Sequence, residues 1–302
     1  MTPERRISGG ILLLDKPQGL SSNAALQRVR HALGRIKGGH TGSLDPLATG
    51  MLPICLGEST KVAGFLLDGD KHYEFTARFG ERTTTGDLEG LVAQVAQVPE
   101  NLETAIRAVL PQFTGPVMQV PPMYSALKRD GQPLYRLARQ GIEVEREARQ
   151  IQVRELVLLG VTGADASLRL RCSKGTYVRT LAEDLARALD SCAHLTWLRR
   201  TAVEPFDGRQ MITLDSFEAE PGSAVLLAPD AALLHLPAVE LSPELVRRLV
   251  QGQVVATPEA PQAAGLARVY RADGTFLGIA DWAATAALKP VRLFNDLGPV
   301  LT

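Results

Sequence analysis

The chain is predicted to fold as an α+β protein around a mixed sheet, with a small all-β module at its C-terminal end. Three observations carry this. Strand and helix signals do not alternate regularly along the 302 residues, which speaks against a doubly wound parallel sheet. Residues 71–79 alternate cleanly, with Tyr73, Phe75, Ala77 and Phe79 on one face and His72, Glu74, Thr76 and Arg78 on the other. Short strand signals then crowd the end of the chain at 267–272, 275–282 and 289–294, the first two joined by an Asp273-Gly274 hairpin turn.

The elements follow in order. Gly10 to Leu14 is a continuous apolar run, read as a buried strand, and Asp15-Lys16-Pro17-Gln18-Gly19 turns the chain. Ser21 or Ser22 can cap a helix over 23–33, with Leu26, Val29 and Leu33 on one face. Residues 51–56 read as a second buried strand and 59–67 as a short helix. After the alternating strand, 80–90 is polar and contains glycine, so a loop is expected. Helix signals return at 102–110. Pro116, Pro121 and Pro122 make 115–129 an irregular or edge segment. A short helix at 134–140 stops at Gly141. Strands are expected at 151–161, 168–173 and 194–203, with a helix between the last two ending near Leu189. Residues 219–243, rich in Ala, Pro and acid, read as a small helical appendage and a domain boundary.

Composition narrows the class of protein. An apolar fraction of 45% and a charged fraction of 22% describe an ordinary globular chain. No apolar run reaches the length of a membrane span, and the start, Met-Thr-Pro-Glu-Arg-Arg, has no signal-peptide core, so a cytoplasmic protein is expected. Cys55, Cys172 and Cys192 are scattered and odd in number, which suggests neither a disulfide framework nor a zinc site. The net charge is zero, but the charge is unevenly placed. Residues 1–61 carry 8 basic and 4 acidic side chains, and residues 128–209 carry 15 and 11. Arginine supplies 26 of the 33 basic residues, and its planar fork suits phosphates and bases. Any single arginine is still more often part of a solvated face.

The chemistry concentrates at Gly38-Gly39-His40-Thr41-Gly42-Ser43-Leu44-Asp45-Pro46, where one carboxylate stands in a frame of glycines. Glycine lets backbone approach a ligand closely, and Pro46 biases Asp45 away from helix. A plain surface turn fits the same residues. No Walker loop, GxGxxG or HExxH is present, so no nucleotide or metal chemistry is indicated. No second carboxylate accompanies Asp45 in the sequence.

Several separate, ordered motifs complete the picture: Gly-Ile-Leu-Leu-Leu-Asp-Lys-Pro at 10–17, the Asp45 loop, Lys71-His72-Tyr73, Pro122-Met123-Tyr124-Ser125-Ala126-Leu127-Lys128, Ser173 to Leu181, and Leu198-Arg199-Arg200. Over 10–205 the chain resembles the TruB family of tRNA pseudouridine synthases. The resemblance implies a pseudouridine synthase fold with a central mixed, largely antiparallel sheet flanked by helices. It implies a catalytic domain over 1–243, with 219–243 as the boundary region, and a PUA-like RNA-binding module over 244–302. It implies isomerisation of uridine 55 in the tRNA T-arm, with no cofactor, no metal, no membrane and no protein partner. Asp45 matches the catalytic aspartate. Tyr73 matches the tyrosine that stacks on the flipped uracil and helps remove a proton, and Arg179 the arginine beside the aspartate. Tyr177 and Leu198 match walls of the uridine pocket, and His40 the histidine that reaches into the RNA loop. Arg179 is expected to hold the Asp45 carboxyl below its ordinary range. Two rivals, a non-catalytic RNA-binding protein on this scaffold and a guide-RNA-dependent relative, are disfavoured by the presence of Asp45, Tyr73 and Arg179 and by the compact length.

Overall fold

The computed structural model describes residues 9–129 and 131–294. The first six residues read for a signal peptide, and the last eight residues of the C-terminal module, lie outside the described residues. The main sheet has nine strands: β1 (Gly9–Lys16), β2 (Gly38–His40), β3 (Thr49–Gly57), β4 (Lys71–Phe79), β5 (Gly115–Gln119), β6 (Arg149–Thr162), β7 (Asp165–Cys172), β8 (Ala193–Val203) and β9 (Ile212–Thr213). Their order is β9-β1-β3-β8-β4-β7-β6-β5, with β2 also paired to β3. Two contacts are parallel, β9 with β1 and β8 with β3, and the others are antiparallel. The sheet is mixed and largely antiparallel, as the motifs implied.

The two hydrophobic patterns have distinct causes. The run in β1 is buried on both faces. Leu12 and Leu14 pack with the helix Ser22–Ala32 and with Phe217, while Ile11 and Leu13 pack with Met51, Phe206 and the C-terminal sheet. The alternating strand β4 is covered on one face only. Tyr73, Phe75, Ala77 and Phe79 enter a core with the helices Leu102–Val109 and Val178–Arg187. Its other face carries ion pairs, Glu74 with Arg169 and Arg78 with Asp165.

The sheet has a seam. β8 meets β4 along most of its length but meets β3 at two residue pairs only, Arg199 with Thr49 and Arg200 with Gly50. Gly50 has φ +100°, and a Cβ there would lie 2.2 Å from the Arg200 carbonyl oxygen, so close approach of the strands requires glycine.

Two local expectations are corrected. Residues 80–90 are not all loop: Glu81–Thr83 pairs with Val92–Val95 as a two-stranded ribbon. The stretch 219–243 is not a helical appendage. It contains the 3₁₀ turns Pro221–Ser223 and Pro229–Leu233 and then the strand Ala238–Leu241. That strand pairs in parallel with Gly265–Arg271 as the edge of a five-stranded sheet, which also holds Phe276–Trp282, Ala287–Leu293 and Val255–Ala256. This second sheet packs on the body, where Phe276, Ile279 and Phe294 share one core with Ile11, Met51, Phe206 and Leu233.

Candidate active site

The loop from Thr41 to Ala48 is held from below by buried polar side chains. Ser21 caps the helix Ser22–Ala32, which leaves Ser22 free to clamp the loop: its Oγ accepts from Leu44 N at 2.7 Å and donates to Leu44 O at 3.1 Å. Lys16 is fully buried, and its Nζ donates to Pro17 O, Leu20 O and, at 3.5 Å, Pro46 O. Burial lowers the Lys16 pKa to about 8, although nearby Asp45 works in the opposite direction. Ala48 N closes the turn on Asp45 O at 3.1 Å. Arg200 donates from Nη2 to Gly42 O at 3.1 Å. Asp45 is thereby presented on a backbone fixed at both ends.

Arg179, the second residue of the helix Val178–Arg187, meets Asp45 with Nε 2.9 Å from Oδ2. Its Nη1 donates to Thr85 O and its Nη2 to Tyr124 O, each at 2.7 Å. Arg179 is only 5% exposed, so the guanidinium is fixed by three separate segments. Asp87, also buried, lies with Oδ2 3.8 Å from the same Nε. Asp87 is itself held by Thr85 Oγ1 at 2.6 Å and Glu89 N at 3.0 Å. Asp45, Arg179 and Asp87 therefore form one charged row.

This supplies the second carboxylate that the sequence had not offered. The expectation for the Asp45 pKa is also corrected. Enclosure raises it above the ordinary aspartate value, and Arg179 opposes the rise without reversing it. The side chain stays 40% exposed to the cavity, so water tempers the effect.

The cavity above Asp45 has a volume of about 590 Å³. Tyr73, Tyr177, Arg179, Leu198 and Arg200 line it together with Asp45. Tyr73 and Leu198 come from adjacent strands, β4 and β8, and are buried. Tyr177 precedes the Arg179 helix. Its backbone is gripped by Gln119, whose Oε1 accepts from Tyr177 N at 2.8 Å and whose Nε2 donates to Tyr177 O at 3.1 Å. Burial raises the pKa of both tyrosines, against the pull of Arg200 on Tyr73 and of Ser125 on Tyr177.

Five of the six residues singled out in the sequence thus face one cavity. His40 does not line it. It stands on β2 opposite Ile54, half-buried, with Nδ1 unpartnered among the described residues and its pKa lowered by burial. Among the described residues no cluster of three or more His, Cys, Asp or Glu side chains could hold a metal. No described helix is long and apolar enough to cross a membrane.

Comparison with known proteins shows the family. Residues 30–178 match the TruB family pseudouridylate synthase N-terminal domain, 179–227 the tRNA pseudouridylate synthase B C-terminal domain, and 237–294 the pseudouridine synthase II TruB C-terminal region. A tRNA pseudouridine synthase B from Aromatoleum aromaticum is 52% identical over 298 residues, 97% of this chain and 95% of that protein. This chain belongs to the TruB family. Another TruB relative, the tRNA pseudouridine synthase B of Stutzerimonas stutzeri, is 50% identical over 97% of both chains. Among solved structures, a chain of an H/ACA ribonucleoprotein bound to a substrate RNA containing 2′-deoxyuridine superposes with a TM-score of 0.72 at 24% identity, over 98% of this chain and 88% of its own. The archaeal Nop10–Cbf5 complex gives 0.68 at 23% identity, over 100% and 89%. These two likenesses concern the fold. As a TruB member the chain is a pseudouridine synthase, an RNA-modifying isomerase.

Proposed function

We propose that this protein isomerises uridine 55, in the TΨC loop of the tRNA T-arm, to pseudouridine, with Asp45 as the catalytic carboxylate. The observation that carries the reading is the Asp45–Arg179 pair at the floor of a cavity walled by Tyr73, Tyr177 and Leu198. A base within a folded RNA arm must leave its stack to be reached, at a cost of a few kcal/mol. Stacking on an aromatic ring returns about 1–3 kcal/mol per base. Tyr73 offers that surface, Tyr177 and Leu198 enclose the nucleotide, and His40, outside the cavity, meets the RNA loop that the uridine has left.

The reaction breaks the N1–C1′ bond, joins C5 to C1′, releases the C5 proton and protonates N1, so atoms balance without a donor group. Asp45 acts at the nucleotide while the glycosidic bond is exchanged, and Tyr73 takes the C5 proton. The C-terminal sheet adds RNA contacts and no chemistry. A cytoplasmic location goes with this reading.

The test is tritium release from a tRNA transcript labelled at uridine C5. One equivalent should be released per tRNA, and none from label at other uridines when position 55 is cytidine. Equal release from the cytidine-55 transcript would refute the assignment of position.

A further inference from the structure

Among the described residues the largest fully buried side chain is Arg200, 1% exposed. A buried guanidinium is costly unless a carboxylate compensates it. Among the described residues Arg200 forms no ion pair, and Asp45, which lines the same cavity, is paired with Arg179. Arg200 donates to two carbonyls, from Nε to Met51 O at 2.7 Å and from Nη2 to Gly42 O at 3.1 Å, and its guanidinium also bonds the Tyr73 hydroxyl. A neutral amide could make comparable bonds, and an apolar side chain could fill the space. The retained charge therefore points to a negative charge that arises nearby. Two facts say where. Arg200 lies directly opposite Tyr73 in the β8–β4 register, and both residues line the catalytic cavity.

We propose that Arg200 is a positioning residue for the reaction, holding the Asp45 loop through Gly42 and supporting the Tyr73 oxygen as it accepts the C5 proton. The inference rests on Tyr73 having that role. In the step, Tyr73, a phenol at rest because burial raises its pKa, gives its hydroxyl proton to water; the resulting phenolate takes the proton from C5, and the C–H electron pair returns to the ring to restore its double bond. Tyr73 ends as the phenol in which it began. The groups facing Tyr73 are few: Arg200 from β8 favours the phenolate, while Cys172 from β7 and Asp45 from its loop disfavour it, as does burial. Of these groups Arg200 is the one that favours the phenolate.

The test uses ¹³Cζ-labelled tyrosine in the full-length, RNA-free protein, with Tyr73→Phe to assign the Tyr73 signal. In Arg200→Gln the Tyr73 ionisation midpoint should rise by about one pH unit or more, a tenfold change in proton affinity. In single-turnover tritium release, Arg200→Gln should slow the wild type at least about tenfold but slow Tyr73→Phe by less than about threefold, a shortfall from additivity that marks residues acting together. Binding of tRNA should move less than about threefold. Should the glutamine variant not fold, Arg200→Lys enters the same kinetic cycle. An unmoved Tyr73 midpoint, or rate losses that simply multiply, overturns the inference. The titration needs no substrate, so it stands or falls apart from the activity itself.

Discussion

Arg179 grips Asp45 through Nε at 2.9 Å while its two terminal nitrogens are committed to the carbonyls of Thr85 and Tyr124. All three donor directions are thus in use, each toward a different segment. Lysine would keep the charge but could not span these positions. Arg179→Lys is therefore expected to lower single-turnover tritium release by about 100-fold, roughly 2.7 kcal/mol of barrier. Binding of tRNA should change little. A variant as fast as wild type would show that the grip on Asp45 is dispensable.

Asp45→Asn keeps the shape and removes the charge. The protein should fold, because Ser22, Lys16 and Arg200 hold the loop through its backbone and not through the Asp45 side chain. We expect tRNA binding within about tenfold of wild type, roughly 1.4 kcal/mol, since phosphate contacts and stacking dominate affinity. Tritium release should be at background even with enzyme in excess. Measurable turnover would make Asp45 a structural turn residue.

The pH dependence follows from enclosure. The Asp45 carboxyl is raised above its ordinary value, and the reaction needs it ionised. The single-turnover rate should therefore climb with pH through a midpoint above about 3.9, the ordinary aspartate value. The linkage to stability has the opposite sense. A raised folded-state pKa means that the protonated group favours the fold, a contribution complete below about 3.9 and lost as pH rises through the folded value. Asp45→Asn should remove that slope from the stability profile. An acid limb at or below the ordinary aspartate value would contradict the enclosure.

Gly50 should tolerate no side chain. At φ +100° and with a Cβ position 2.2 Å from Arg200 O, Gly50→Ala forces β3 and β8 apart. Soluble yield and melting temperature should both fall sharply. An alanine variant with the wild-type melting temperature would mean that the seam opens without penalty.

The C-terminal sheet should melt together with the body. Phe276 packs against Tyr270 and Phe294, with ring centroids 5.5 and 5.2 Å apart, inside the core shared with Ile11 and Met51. Phe276→Ala is expected to cost about 3–5 kcal/mol and to lower a single cooperative transition. Truncation near Ser242 should expose that core and yield aggregated protein. Two separate melting transitions would count against the shared core.

Sequence patterns revealed faces better than they revealed partners. The alternation of β4 placed Tyr73 correctly, because a strand covered on one side must alternate. The run in β1 read as buried, because both of its faces are covered. Asp87 was missed because it lies in a polar, glycine-containing stretch that resembles any loop. The available signal was Thr83-Thr84-Thr85-Gly86-Asp87, where hydroxyls can fold a turn around the acid, as Thr83 and Thr85 do. Lys16 and Arg200 were visible only as members of motifs. Arg200 bonds carbonyls far along the chain, and Lys16 turns back onto those of Pro17 and Leu20 and reaches Pro46, contacts that no hydropathy pattern reports. The strand Ala238–Leu241 was hidden by its proline- and acid-rich surroundings.

The seam between β3 and β8 has a further consequence. Asp45 belongs to the side of the sheet formed by β1, β2 and β3, which the late strand β9 completes, while Tyr73, Arg179, Leu198 and Arg200 belong to the side beyond the seam. Neither half contains a working site. Turnover is thus a reporter of sheet closure: during refolding, its first appearance times the joining of the two sides across the seam, and a chain cut between β3 and β4 regains activity only by complementation.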